Sequence, residues 1–179
     1  MQHAQLNVEG VKNKSKAVEV NRWITIGKPA LELQRLWCDP HTLPLIMSHF
    51  AKVDILNERE SSWMVEDMLS QKWYWQNRIT ELQPGIAIYW QSLQGADLPN
   101  EGSLLFREAP AAKGTELSLR VIFEPPGGEM GKKIADWLNV VPKEIVSKAL
   151  HRFKSLAETG EIPRVSPQPV GADRAKKEA

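Results

Sequence analysis

The 179-residue sequence predicts an α+β fold: a curved antiparallel sheet of about six or seven strands wrapped around a long C-terminal helix, with two short helices after the first strand. Three observations predict it. Apolar and polar residues alternate in successive short stretches between Val18 and Glu124, the period-two pattern of strands buried on one face. Turn residues join most of these stretches closely enough for an antiparallel meander. After Pro125-Pro-Gly-Gly128 the apolar spacing lengthens to a helical period, which supplies an element to cover the sheet.

The first strand places Val18, Val20, Ile24 and Ile26 on one face, with Glu19, Asn21, Trp23 and Thr25 on the other. Arg22 falls on the apolar side, a blemish in the pattern. Gly27-Lys-Pro29 ends the strand, and Pro29 suits the first turn of a helix that carries Leu31, Leu33, Leu36 and Trp37. Asp39-Pro40 punctuates before a second short helix around Leu43, Ile46 and Met47. Further strands are expected at Lys52–Asn57, Ser62–Asp67, Lys72–Leu82, Ile86–Leu93, Ser103–Glu108 and Thr115–Glu124. Their inward positions include Trp63 and Val65, then Trp73, Trp75, Asn77 and Ile79. Next come Ile86, Ile88, Trp90 and Ser92, then Leu104 and Phe106, and last Leu117, Leu119, Val121 and Phe123. The turn Gln83-Pro-Gly85 separates two of these strands.

The final helix runs over residues 129–158 with Met130, Ile134, Trp137, Leu138, Val141, Ile145, Ala149, Phe153 and Leu156 on its apolar face. Pro142 lacks a backbone donor, so a break is expected near Asn139–Val141, and Gly160 stops the helix. Residues 1–16 read as a mobile polar leader, 17–163 as a single domain and 164–179 as a disordered tail.

Composition narrows the function classes. The net charge is +1, with about +2 on each end and −3 on the body, which argues against a nucleic-acid partner. Basic ends fit solvated tails or transient contact with an anionic membrane surface. Cys38 is the single cysteine, so an internal disulfide and multi-thiolate zinc sites are excluded. No apolar run approaches the roughly 20 residues of a membrane span, and no apolar signal segment opens the chain, so the expected compartment is the cytoplasm. Phosphate-binding glycine loops, the GxSxG elbow and HExxH are absent, no cofactor or metal is implied, and oligomeric state is left unspecified.

Several stretches carry a family resemblance. They are Ile26-Gly-Lys-Pro-Ala-Leu-Glu-Leu33 leading to Leu36-Trp37, and Asp39-Pro40 through Leu43-Pro44 to Met47-Ser-His49. With them go Trp90 through Gly102, Gly114-Thr-Glu116, Pro125-Pro-Gly-Gly128 and Arg152 through Pro163. In these the chain resembles the START/Bet v 1-like (SRPBCC) helix-grip superfamily, in its polyketide cyclase/dehydrase and coenzyme-Q-binding branch, over about residues 18–163.

The resemblance implies a cavity between the sheet and the C-terminal helix that binds a hydrophobic small molecule: a lipid, a quinone or an aromatic polyketide-like compound. The expected pocket wall is Trp63, Trp73, Trp75, Asn77, Trp90, Phe106, Leu119, Phe123, Trp137 and Val141. Each indole reads as core first, since aromatics dominate burial in any domain, and as pocket wall second. Asn77, Ser92 and Arg22 are inward polar residues that either bond internally or face the cavity. Two other readings stay open: a cyclase or dehydratase that moves protons with Asn77, Arg22, Ser92 or a histidine, and a partner-binding module with a filled interior. No catalytic motif of the family is present to carry over.

Overall fold

The computed structural model describes residues 17–67, 70–140 and 142–162. The predicted leader and tail, and Val141, lie outside the described residues. Seven strands form one antiparallel sheet: β1 (Val18–Ile26), β2 (Ala51–Ile55), β3 (Glu60–Glu66), β4 (Lys72–Gln83), β5 (Ala87–Ser92), β6 (Asn100–Glu108) and β7 (Thr115–Phe123). Their order is β1-β7-β6-β5-β4-β3-β2, so the first two strands in sequence are the two edges. The chain crosses between those edges through α1 (Ala30–Trp37) and α2 (Thr42–Met47). After β7 come α3 (Gly128–Val140) and α4 (Pro142–Thr159). The sheet curls into a half-barrel, the helix-grip arrangement.

The alternation read from the sequence decides which way each strand faces. In β4, Trp73, Trp75 and Asn77 are buried while Lys72, Tyr74, Gln76 and Arg78 are exposed. In β7, Thr115, Leu117, Leu119 and Val121 point inward. Register sets Trp63 opposite Trp75 and Leu104 opposite Leu119, so the large side chains meet across neighbouring strands. A bulge between Ile79 and Glu81 interrupts the β4–β5 pairing and bends β4. The sixth strand begins at Asn100, three residues before the expected Ser103, because residues 100–102 pair with 121–123 of β7.

Ile86, expected to face inward, is 59 % exposed. It is the last residue of the turn Gln83-Pro84-Gly85-Ile86, where its N–H donates to the Gln83 carbonyl at 3.0 Å and Gly85 takes φ +67°. A buried amide locks this turn to α1. The Gln34 Nε2 donates to the carbonyls of Gln83 (2.8 Å) and Ala87 (3.2 Å), and its Oε1 accepts from Gly85 N–H at 2.8 Å.

The C-terminal helical segment is described as α3, to Val140, and α4, from Pro142; the break expected near Asn139–Val141 falls at Val141, outside the described residues. α4 lies along β1 and against α2. Arg22 Nε donates to Ser147 Oγ (3.1 Å), Lys154 Nζ to Thr25 O (2.9 Å), and Gly27 N–H to Glu158 Oε1 (3.0 Å). Arg152 Nη2 donates to Leu45 O (2.7 Å) and Ser48 Oγ (2.8 Å) at the end of α2. Arg22 thus leaves the apolar face of β1 for a hydroxyl on α4. Beneath these polar ties Trp37 meets Phe153 edge-on at 5.0 Å, and Ile134, Leu138, Ala149, Leu150 and Phe153 are buried.

Replacing Gln34, which is 4 % exposed, takes a partner from the Ala87 carbonyl and the Gly85 N–H, while the Gln83 carbonyl keeps the Ile86 N–H. Gln34→Ala is therefore expected to lower stability by about 2–3 kcal/mol, within the range for leaving buried polar groups unpaired. A urea midpoint unchanged from wild type refutes the lock.

Candidate functional site

The concave face of the sheet and the helices enclose a cavity of about 440 Å³, within the roughly 300–1,000 Å³ range of small-molecule pockets. Its sheet side is Trp63 from β3, Trp75, Asn77 and Ile79 from β4, Ile88 and Trp90 from β5, and Leu119, Val121 and Phe123 from β7. Its helix side is Trp37 from α1, Leu43 and Met47 from α2, Trp137 and Leu138 from α3, and Ile145, Val146 and Ala149 from α4. Exposed residues mark the mouth: Cys38, Asp39 and Pro40 between α1 and α2, and Asn57, Glu58 and Arg59 in the β2–β3 turn.

Seven of the ten residues expected on the wall line this cavity: Trp63, Trp75, Asn77, Trp90, Leu119, Phe123 and Trp137. Trp73 and Phe106 do not. Trp73 is 2 % exposed, with Trp137 tilted against it at 5.6 Å, and Phe106 is enclosed in the core. Inward parity fails to separate these two from the wall residues, because parity reports the face and not the depth under the helices. Val141 lies outside the described residues. Ile79 and Ile88 share the inward parity of the tryptophans and were legible by it. Trp37, Leu43 and Met47 come from short helices, whose facing depends on how they cross the sheet. The polar mouth has no period at all.

The indoles are arranged rather than scattered. Trp63 stacks on Trp75 with ring centres 5.9 Å apart and planes 12° from parallel, and Trp63 Nε1 donates to Ser61 Oγ at 2.9 Å. The Trp90 indole lies over Gly102, its neighbour in register on β6. A Cβ built at position 102 would sit 2.2 Å from Trp90 Cζ2 and 2.6 Å from the Arg120 carbonyl, so only glycine admits the ring there. Trp75 Nε1 and Asn77 Oδ1 are shielded from solvent without a partner among the described residues.

The remaining polar candidates are elsewhere. Ser92 Oγ accepts from Asn100 N–H at 2.9 Å, Arg22 serves α4, and neither lines the cavity. His41 sits on the surface beside Asp39, whose carboxyl is held below its usual value mainly by the His41 backbone N–H. Desolvation raises the Cys38 thiol, so it is no thiolate at neutral pH. Among the described residues no three His, Cys, Asp or Glu side chains are placed to hold a metal ion, and no helix is long and apolar enough to cross a membrane.

No family model matches the chain, and no curated protein matches it. The solved structure of DR_A0006 from Deinococcus radiodurans is 35 % identical, covering 80 % of this chain and 99 % of that one with a TM-score of 0.61. The chain belongs to the family of DR_A0006. TTHA0849 from Thermus thermophilus shares the fold at 19 % identity, over 79 % of this chain and 97 % of that one, with a TM-score of 0.62. The di-domain ARO/CYC StfQ from the steffimycin biosynthetic pathway shares it at 16 % identity over 79 % of this chain and 51 % of its own length, with a TM-score of 0.58. These likenesses agree with the half-barrel and the gripped helix.

His49 ties the helices together at the cavity's edge. Its Nδ1 lies 3.0 Å from Ile46 O and its Nε2 3.3 Å from Ile145 O, linking the end of α2 to the wall residue Ile145. Desolvation holds its pKa below the ordinary 6.5, the two carbonyls oppose that, and Lys148 and Arg152 reinforce it. The unfolded ring therefore takes up a proton before the folded one as pH falls. Stability is expected to drop as pH falls from about 6.5 towards the depressed folded value. His49→Gln should flatten that segment of the stability–pH curve, as measured by urea unfolding; an identical curve refutes the assignment.

Gly102→Ala should lower stability by about 1–3 kcal/mol, because Trp90 or the strand must shift. Unchanged denaturation together with an unmoved Trp90 ring in a crystal structure would contradict it.

Proposed function

We propose that this protein binds a hydrophobic small molecule in the cavity between its sheet and helices. The candidate classes are a lipid, a quinone or an aromatic polyketide-like compound, as in the START-like and coenzyme-Q-binding branch that the sequence resembles. The observation that carries this reading is a cavity of about 440 Å³ walled by indoles and aliphatic side chains. Apolar surface of that extent favours an apolar guest, since each square ångström removed from water contributes roughly 25 cal/mol. The stacked Trp63–Trp75 pair offers a flat ring a parallel face.

The StfQ likeness supports a cyclase-type enzyme as the second reading. Of the groups considered for proton transfer, only Asn77 lines the cavity among the described residues, and a carboxamide does not titrate near neutral pH. Binding without turnover is accordingly the better-supported function. A filled partner-binding module is disfavoured by the open space itself.

Calorimetric titration with quinones, fatty acids and polycyclic aromatics is expected to show one saturable site per chain with at least one of these classes. Trp90→Ala should shift preference towards bulkier guests and cost roughly 3–5 kcal/mol of stability, with Trp90→Phe costing less. Absence of saturable heat across the whole set would sink the reading.

A further inference from the structure

Asn77 is 9 % exposed, lines the cavity, and makes no side-chain hydrogen bond among the described residues. Its cross-strand neighbours in register are Ser61 and Ser92. Both hydroxyls are engaged elsewhere, Ser61 by Trp63 Nε1 and Ser92 by the Asn100 N–H. Two residues away on the same strand face, Trp75 Nε1 is likewise without a partner. The Asn100 amide, also on the wall, is spent on the Leu98 carbonyl at 3.0 Å. A buried amide oxygen left unpaired is costly, and native proteins seldom leave one so. Asn77 therefore marks a point on an apolar wall where a guest can supply the missing partner. A half-turn of the amide presents either its donor or its acceptor end.

Charge restricts what that guest is. Among the described residues, those lining the cavity inside the mouth include no charged side chain. At the mouth stand three carboxylates, Asp39, Glu58 and Glu60, against one guanidinium, Arg59, and Glu60 is engaged by Arg78. A carboxylate guest would pass an acidic rim and then lose its hydration with no counter-charge inside. A neutral oxygen meets neither obstacle.

We propose that the cavity selects an uncharged ligand, with Asn77 bonding its one polar oxygen, a carbonyl or hydroxyl, while the apolar body lies against the indoles. This rests on reading the cavity as a ligand site. It singles out neutral ketones, quinones and phenols from the broader set and rejects fatty acids.

The test is calorimetric titration of the full chain at neutral pH with three probes of one skeleton: 2-acetylnaphthalene, 2-ethylnaphthalene and 2-naphthoate. The ketone is expected to bind roughly tenfold tighter than the hydrocarbon, the ratio for about 1.4 kcal/mol, and the carboxylate weakest of the three. In Asn77→Leu the ketone should fall to the hydrocarbon's affinity while the hydrocarbon binds as well as before. Naphthoate binding as tightly as the ketone, equal affinity of ketone and hydrocarbon for the wild type, or an equal loss of both in Asn77→Leu overturns the proposal and leaves the cavity reading standing. No saturable heat with any probe removes the cavity reading and this one with it. The ranking on the unaltered chain decides the matter even where the variant fails to fold.

Discussion

Everything on the concave side of this sheet depends on where α4 is held. Its polar ties run to β1 and to the end of α2, through Arg22–Ser147, Lys154–Thr25, Gly27–Glu158 and Arg152–Leu45. Its closest packing is likewise against β1 and α2. A helix fastened to one edge of a curled sheet closes that edge and stands off from the strands opposite. The gap falls over β3, β4, β5 and the inward face of β7, with Trp63, Trp75 and Trp90 on its wall.

That gap is energetically conspicuous. Left wholly empty, a cavity of about 440 Å³ forgoes at most about 10 kcal/mol of packing at the coefficient measured for core cavities. The net stability of an entire domain is typically ~5–15 kcal/mol. Filling such a space recovers part of that loss. The wall is also stiff. Trp63 is braced on Trp75 and bonded to Ser61, and Trp90 is seated on a strand position that admits only glycine. Rigid indoles lose little entropy on binding, which favours a preformed site over one assembled around its ligand.

The fold was legible because its signals are local. Alternation in β4 and β7 and the Pro-Gly turn at 84–85 each act within a few residues, and the element order follows from them. The site was legible only where it is built from strands. Trp75, Asn77 and Trp90 follow from parity, whereas Trp73 and Phe106 share that parity and end in the core. Burial under a helix is a property of the crossing, and no spacing in the chain encodes it. Trp37 and Met47 reach the wall because α1 and α2 carry the chain from one sheet edge to the other. The Gln34 lock was invisible for the same reason: its partners lie some fifty residues downstream.

The placement of the tryptophans also governs how the molecule handles light. Trp63 and Trp75 lie 5.9 Å apart and Trp73 and Trp137 5.6 Å apart, close enough for excitation to migrate within each pair before it is emitted. A change in the surroundings of one ring of a pair is therefore felt by both. Trp23 stands alone on the outer face, 68 % exposed, and emits at the long wavelengths of a water-bathed indole whatever the cavity holds. The protein thus carries one water-bathed indole outside and paired indoles within, two populations that emission wavelength separates.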